Sequence, residues 1–246
     1  MNSSITSAVT PLDVETRGVI KTFGSYKALR GVDLRVTAGT VLAVLGPNGA
    51  GKTTLIKLLA GIMRPTSGQI LIEGLELKDN AQMVRSRIGL VAHQSYLYGN
   101  LTAWENLDFY ARMYGVSKRE KRISEVLELV GMETYRFRRF STFSRGMQQR
   151  MALARALIHF PPILLLDEPE TGLDQQGLSA IWDILRCEGT TRTIIFASHS
   201  FERALAVSDD IVILARGRIA YYERGCQLDL LGLQQKYAEC TQAVKP

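Results

Sequence analysis

The chain has 246 residues, enough for one large α/β domain but too few for a second full-sized regulatory domain beside it. Apolar residues make up 46% and charged residues 22%, a globular balance that excludes a disordered chain. The 30 Lys and Arg against 24 Asp and Glu leave a net charge of +6. That sign suits phosphate ligands, nucleic acid or an anionic membrane surface equally, and does not choose among them. Residues 1–13 are rich in Ser and Thr and have neither a basic n-region nor an apolar h-region, so they are expected as a flexible tail. No stretch approaches the ~18 to 20 uninterrupted apolar residues of a membrane span. The three cysteines, Cys187, Cys226 and Cys240, are widely spaced and suggest reduced thiols in place of a disulfide framework or zinc site.

From Val14 to Leu77 the sequence reads as short strands broken by glycine. Val32 to Val36 and Gln69 to Ile72 alternate apolar and polar, as half-exposed antiparallel strands do, whereas Val41 to Leu45 is wholly apolar, as a buried central strand is. A glycine loop follows, then a helix over Lys52 to Ile62 with Leu55, Ile56, Leu58, Leu59 and Ile62 at helical spacing. Residues 95–160 turn mostly helical, with Trp104, Leu107, Ala111 and Tyr114 on one face and Val126, Leu129 and Val130 on another. Strand-like runs return at Ile163 to Asp167, Thr193 to Ser198 and Ile211 to Leu214, separated by helical segments, in the rhythm of a parallel sheet with crossover helices. The expected fold is α/β, with a mixed core sheet, an antiparallel β subdomain and a helical insertion; residues 14–225 form the domain and residues 226–246 a short extension.

Gly46-Pro47-Asn48-Gly49-Ala50-Gly51-Lys52-Thr53-Thr54 fits the phosphate-loop pattern, with the strand before it and the helix after it that the chemistry requires. Glycines let backbone N–H groups close around phosphate oxygens, the helix N-terminus adds partial positive charge, Lys52 reaches the β and γ phosphates, and the Thr53 hydroxyl is a magnesium ligand. The apolar run Ile163 to Leu166 ends in Asp167 and Glu168, at the strand edge where ligands of open α/β sheets bind. Asp167 is a candidate for holding Mg²⁺, and Glu168 for accepting a proton from an attacking water.

With Phe143-Ser144-Arg145-Gly146-Met147-Gln148-Gln149-Arg150 between these motifs, the set resembles the ATP-binding subunit of ABC transporters, a family of P-loop NTPases. The family signature is Leu-Ser-Gly-Gly-Gln; Phe143, Arg145 and Met147 depart from it, while Ser144 and Gly146 are kept. The resemblance implies that Ser144 and Gly146 touch the γ-phosphate held by the opposite subunit, so that a homodimer of nucleotide domains closes on ATP and Mg²⁺. It further implies that Gln94 senses the magnesium ion and the attacking water, that Asp174 crosses the dimer interface, and that His199 contacts the γ-phosphate and orients Glu168. Phe23 matches the aromatic that stacks on adenine, with Tyr26 as the fallback.

The resemblance also implies integral-membrane partner subunits, a place on the inner, cytoplasmic face of the cell membrane, and no nucleic acid. Of the 19 aromatics, six fall between residues 96 and 114, enough for a helical core and part of a groove for a membrane subunit. Arg136, Arg138, Arg139 and Arg145 nearby suit anionic headgroups. Within exporters, His93 directly before Gln94, the run from Leu101 to Arg112 with its Leu-Thr-x-x-Glu-Asn-Leu-x-Phe-Tyr pattern, Ser144 to Arg150, and Phe201 to Leu205 resemble the ATP-binding subunit of the haem exporter of c-type cytochrome biogenesis. Drug and polysaccharide exporter ATPases share parts of each and form the alternative; a soluble iron–sulfur assembly ATPase is the more distant one. Nothing in the chain resembles a haem site, since His93, His159 and His199 lack a Cys-x-x-Cys-His setting.

Overall fold

The computed structural model describes residues 12–170, 182–185, 192–225 and 227–242. Asp174, Cys187, Cys226 and the tail before Leu12 lie outside the described residues.

The chain begins with two long antiparallel strands, β1 (Leu12–Phe23) and β2 (Tyr26–Thr37), joined by a tight turn. β1 starts two residues before the expected boundary at Val14, and its Asp13 accepts a hydrogen bond from Thr193. β4 (Ser67–Ile72) pairs with the other edge of β1, and β5 (Leu75–Glu76) with β4, giving a four-stranded antiparallel sheet in the order β2-β1-β4-β5. Alternation along β2 obeys this: Leu34 and Val36 are buried and Asp33 and Arg35 are exposed.

The second sheet has six strands in the order β10-β9-β3-β8-β7-β6. β3 (Val41–Leu45), β6 (Ile88–Val91), β7 (Ile163–Asp167), β8 (Thr193–Ala197) and β9 (Asp210–Ala215) run parallel, and β10 (Arg218–Glu223) closes one edge antiparallel to β9. β3 is apolar throughout because both its faces are covered. Val41, Ala43 and Leu45 face the core shared with the helical segment, and Leu42 and Val44 face the core shared with α1 (Lys52–Leu59) and the antiparallel sheet. The parallel strands all point the same way, so their carboxyl ends form one edge where the loops after β3, β7 and β8 meet.

α1 is shorter than its apolar spacing predicts. It ends at Leu59, Gly61 takes a left-handed φ of 65°, and Ile62 is 47% exposed, outside the buried face. α2 (Ala81–Ser86) precedes β6. The helical part comprises α3 (Ala103–Met113), α4 (Arg119–Leu129) and α5 (Arg145–Leu157), as the periodicity of residues 95–160 predicts. Of the expected face, Val126 and Val130 are buried with Ile123 and Leu127, while Leu129 is 39% exposed: the buried stripe runs through Leu127 in place of Leu129. α3 starts on a capping box: Thr102 Oγ1 accepts from the Glu105 N–H at 3.1 Å, and Glu105 accepts in return from the Thr102 N–H at 2.8 Å, an arrangement worth about 1 kcal/mol. Asn106, fully buried, accepts from the Tyr98 N–H and donates to the Tyr98 and Thr102 carbonyls, folding the segment after Gln94 onto α3. α6 (Phe201–Val207) and α7 (Leu230–Gln242) complete the fold, with Tyr237 edge-on against Phe201. Among the described residues no helix is long and apolar enough to cross a membrane.

Candidate active site

The glycine loop connects β3 to α1 and is shaped by what surrounds it. Gly46 has φ 156°, and a Cβ there would stand 2.2 Å from the Leu214 carbonyl oxygen; at Gly51, φ 108°, it would stand 2.8 Å from the Ala28 oxygen. Neighbouring backbone, β9 at the first and β2 at the second, therefore demands glycine at both ends of the loop. Gly49 meets open space and needs glycine for its φ of 78° alone. Gly51 precedes α1 without any side-chain cap, and the first turn of the helix contains no acidic residue. Its leading N–H groups are therefore left to an anion.

Lys52 is buried, and its ammonium donates to the Gly46 carbonyl at 2.7 Å and the Pro47 carbonyl at 3.3 Å. Burial pushes this ammonium below the ordinary lysine range, partly offset by the charges of Glu168 and Asp167. Thr53 Oγ1 donates to Asp167 Oδ1 at 3.0 Å. Burial holds the Asp167 carboxyl above the usual range, against the Thr53 bond. A hydroxyl and a carboxylate side by side are the hard oxygen donors that Mg²⁺ takes, and a desolvated carboxylate gains most from a cation. The residues present thus fit both the nucleotide phosphates and the ion.

Next along the chain, Glu168 has φ 52°, a left-handed backbone conformation that costs a non-glycine residue about 1 kcal/mol. Its N–H donates to the Ala197 carbonyl at 3.1 Å, which draws the end of β7 against the end of β8. His199, two residues past β8, places Nε2 2.6 Å from Glu168 Oε1. A cleft of about 510 Å³ opens beside Asp167 and Glu168, lined further by Ala92, His93, Ser95, Arg145 and Gln149. Gln94 sits between two of these lining residues and is exposed. Ser144 caps α5, accepting from the Met147 N–H at 3.3 Å, and stays exposed; Gly146 follows in the first turn.

The two aromatic candidates sit at the β1–β2 turn, paired across it, with Phe23 47% and Tyr26 55% exposed. Phe23 carries Lys21 over its ring at 5.0 Å, whereas Tyr26 donates through its hydroxyl to the Gly49 carbonyl at 3.1 Å. The structure therefore brings together the loop, Lys52, Thr53, Asp167, Glu168 and His199 and puts Tyr26 on the loop itself. Asp174 lies outside the described residues.

The sequence motifs do not point to Gln149, which donates to the Pro169 carbonyl at 3.1 Å, or to Glu170, which accepts from Ser198 at 2.5 Å. A second glutamate two residues after Glu168, and a serine directly before His199, were the available signals.

The ABC transporter family model matches residues 29–171, and the chain belongs to that family. It is 38% identical over 199 residues to the ABC transporter ATP-binding protein NatA of Bacillus subtilis, spanning 79% of this chain and 81% of NatA. Over 208 residues it is 38% identical to the bacitracin transport ATP-binding protein BcrA of Bacillus licheniformis, spanning 84% of this chain and 68% of BcrA. Among solved structures, the dimeric post-hydrolysis state of the ATP-binding cassette MJ0796, bound to ADP and Pi, superposes with a TM-score of 0.80 at 28% identity, covering 87% of this chain and all of that one.

Proposed function

We propose that the chain is the ATP-hydrolysing subunit of a membrane exporter of drug or antibiotic molecules, working as a homodimer bound to integral-membrane subunits on the inner face of the membrane. The observation that carries the hydrolytic part is the convergence of Thr53 with Asp167 and of His199 with Glu168 at one sheet edge, beside the glycine loop. The export assignment is supported by the relationship to a bacitracin transport protein. The haem reading finds no support in the relatives named above, and the drug-exporter alternative fits them better. A polysaccharide exporter is the remaining member of that alternative.

The N–H groups of the loop and of the first turn of α1 bind the phosphates, and Lys52 turns from the Gly46 carbonyl to the β and γ oxygens. Thr53 and Asp167, with Gln94 as the proposed sensor, would hold Mg²⁺, which would supply charge neutralisation to the phosphates. Glu168 accepts the proton of the attacking water, and His199 holds the carboxylate toward it. Phe23 stacks on adenine. Ser144, exposed at the start of α5, with the half-buried Gly146 in its first turn, and Asp174 complete the site of the second copy, so neither copy works alone. The exposed pair Tyr98 and Phe109, packed edge to face at 5.3 Å, forms part of the surface that takes the membrane subunit.

The test is a strain of the source organism carrying Lys52→Ala. Greater sensitivity to bacitracin and other amphipathic antibiotics, with c-type haem unchanged, is expected. Selective loss of covalently bound haem from c-type cytochromes would restore the haem assignment and sink the drug one.

A further inference from the structure

The segment after β7 is held at three successive residues. The Glu168 N–H donates to the Ala197 carbonyl at 3.1 Å, Gln149 Nε2 donates to the Pro169 carbonyl at 3.1 Å, and Glu170 Oε1 accepts from Ser198 Oγ at 2.5 Å. Ser198 is fully buried, and its hydroxyl oxygen is already used by the Ser200 N–H at 3.0 Å. Its hydrogen therefore needs an acceptor, and Glu170 supplies a charge-assisted one. Ser198 is also the residue between the two groups that fix Glu168: Ala197, whose carbonyl holds the Glu168 N–H, and His199, whose ring meets the Glu168 carboxyl. Any rotation of the backbone at Ser198 moves both.

We propose that Glu170 is a positioning residue for hydrolysis: through Ser198 it fixes the His199 and Glu168 pair in its working geometry. The proposal rests on the roles given to Glu168 and His199 above. Glu168 sits in a left-handed conformation that persists only where the surroundings over-determine it, and the three bonds at residues 168–170 do so. Among the described residues Glu170 has no hydrogen bond to the phosphate loop or to Thr53 and Asp167; Oε1 accepts from Ser198, and Oε2 is buried with no hydrogen-bond partner among those residues. Two hydrogen bonds, Gln149 to Pro169 and Ser198 to Glu170, thus tie both α5 and the segment after β8 to the two residues that follow Glu168.

The experiment is steady-state ATP hydrolysis by the purified full chain with Mg²⁺, with melting temperature recorded for each variant. Glu170→Ala is expected to lower kcat about 10- to 100-fold while leaving the KM for ATP within about twofold, because misplaced groups cost rate and the phosphate loop is held elsewhere. Glu170→Gln, whose amide oxygen still accepts from Ser198, recovers most of the loss. Ser198→Ala falls by a similar factor, and the double variant of Glu170→Ala with Ser198→Ala falls no further than either single one. Wild-type kcat in Glu170→Ala, additive losses in the double variant, or a Glu170→Gln no better than the alanine would each overturn the proposal. Should Glu170→Ala fail to fold, Glu170→Gln and Ser198→Ala decide it: an active glutamine variant beside a slow serine-less one supports the proposal, and any other pairing overturns it. A wild-type chain that hydrolyses no ATP would overturn the site assignment and this proposal with it, whereas an active wild type beside an unimpaired Glu170→Ala overturns the positioning role alone.

Discussion

His199 Nε2 and Glu168 Oε1 stand 2.6 Å apart at the ends of adjacent parallel strands, β8 and β7. Both side chains are partly exposed, so the contact contributes little to stability and works by orientation. Glutamine in place of Glu168 keeps the shape and the hydrogen bond but takes no proton. Glu168→Gln is therefore expected to bind ATP as tightly as wild type while turnover falls about 100-fold or more. Gel filtration with ATP should then show a trapped dimer, and a variant that turns over at the wild-type rate would remove Glu168 from the base role.

Lys52 is buried against its own loop and donates to two of its carbonyls, which keeps an ammonium at the phosphate position before nucleotide arrives. Truncation removes a charge-assisted bond worth roughly 1.5 to 3 kcal/mol, so Lys52→Ala should weaken ATP binding about 10- to 100-fold in a calorimetric titration. Equal affinity would count against the phosphate-loop assignment.

Much of this was legible in the chain because each motif is a local pattern with a local cause. β3 is a wholly apolar run because it is covered on both faces, and Gly46 and Gly51 stand where neighbouring backbone leaves no room for a Cβ. Where the sequence reading failed, a local cap or a contact from far along the chain decided the outcome. Ile62 keeps helical spacing, yet α1 stops at Leu59 because the left-handed Gly61 caps it. Leu129 and Leu127 are equally apolar, and only packing against the rest of the core chooses Leu127. Glu170 finds Ser198 28 residues away, a partner that no spacing rule names.

Asp167 carries a carboxyl whose pKa is raised by burial. A group with a raised folded value contributes stability that is present below its unfolded pKa and lost as pH rises through the folded one. At neutral pH the ionised carboxylate therefore costs the nucleotide-free chain stability, which a cation would restore. Asp167→Asn should raise the melting temperature of the metal-free chain at neutral pH, with the gain vanishing as pH falls into the carboxylate range. The same variant should lose the further rise that MgATP gives wild type. An asparagine variant that melts lower at neutral pH, or keeps the MgATP shift, would contradict the role given to Asp167.

His159, near the end of α5, stacks on Tyr114 with ring centroids 3.9 Å apart, and its Nε2 lies 3.2 Å from the Ile88 carbonyl oxygen. Burial, helped by the charges of Arg155 and Arg122 and opposed by the Ile88 bond, lowers its pKa to about 4. The imidazole is thus neutral when folded and charges more readily when unfolded. Its contribution is complete above the unfolded value near 6.5 and is lost as pH falls toward 4, amounting to about 3 kcal/mol in all and about 2 kcal/mol by about pH 5. His159→Phe keeps the stack on Tyr114 but does not titrate. Urea unfolding at about pH 7.5 and pH 5 should therefore show wild type losing about 2 kcal/mol more than the phenylalanine variant between the two conditions. Equal losses in the two proteins would show that His159 is already protonated, or already exposed, in the folded chain.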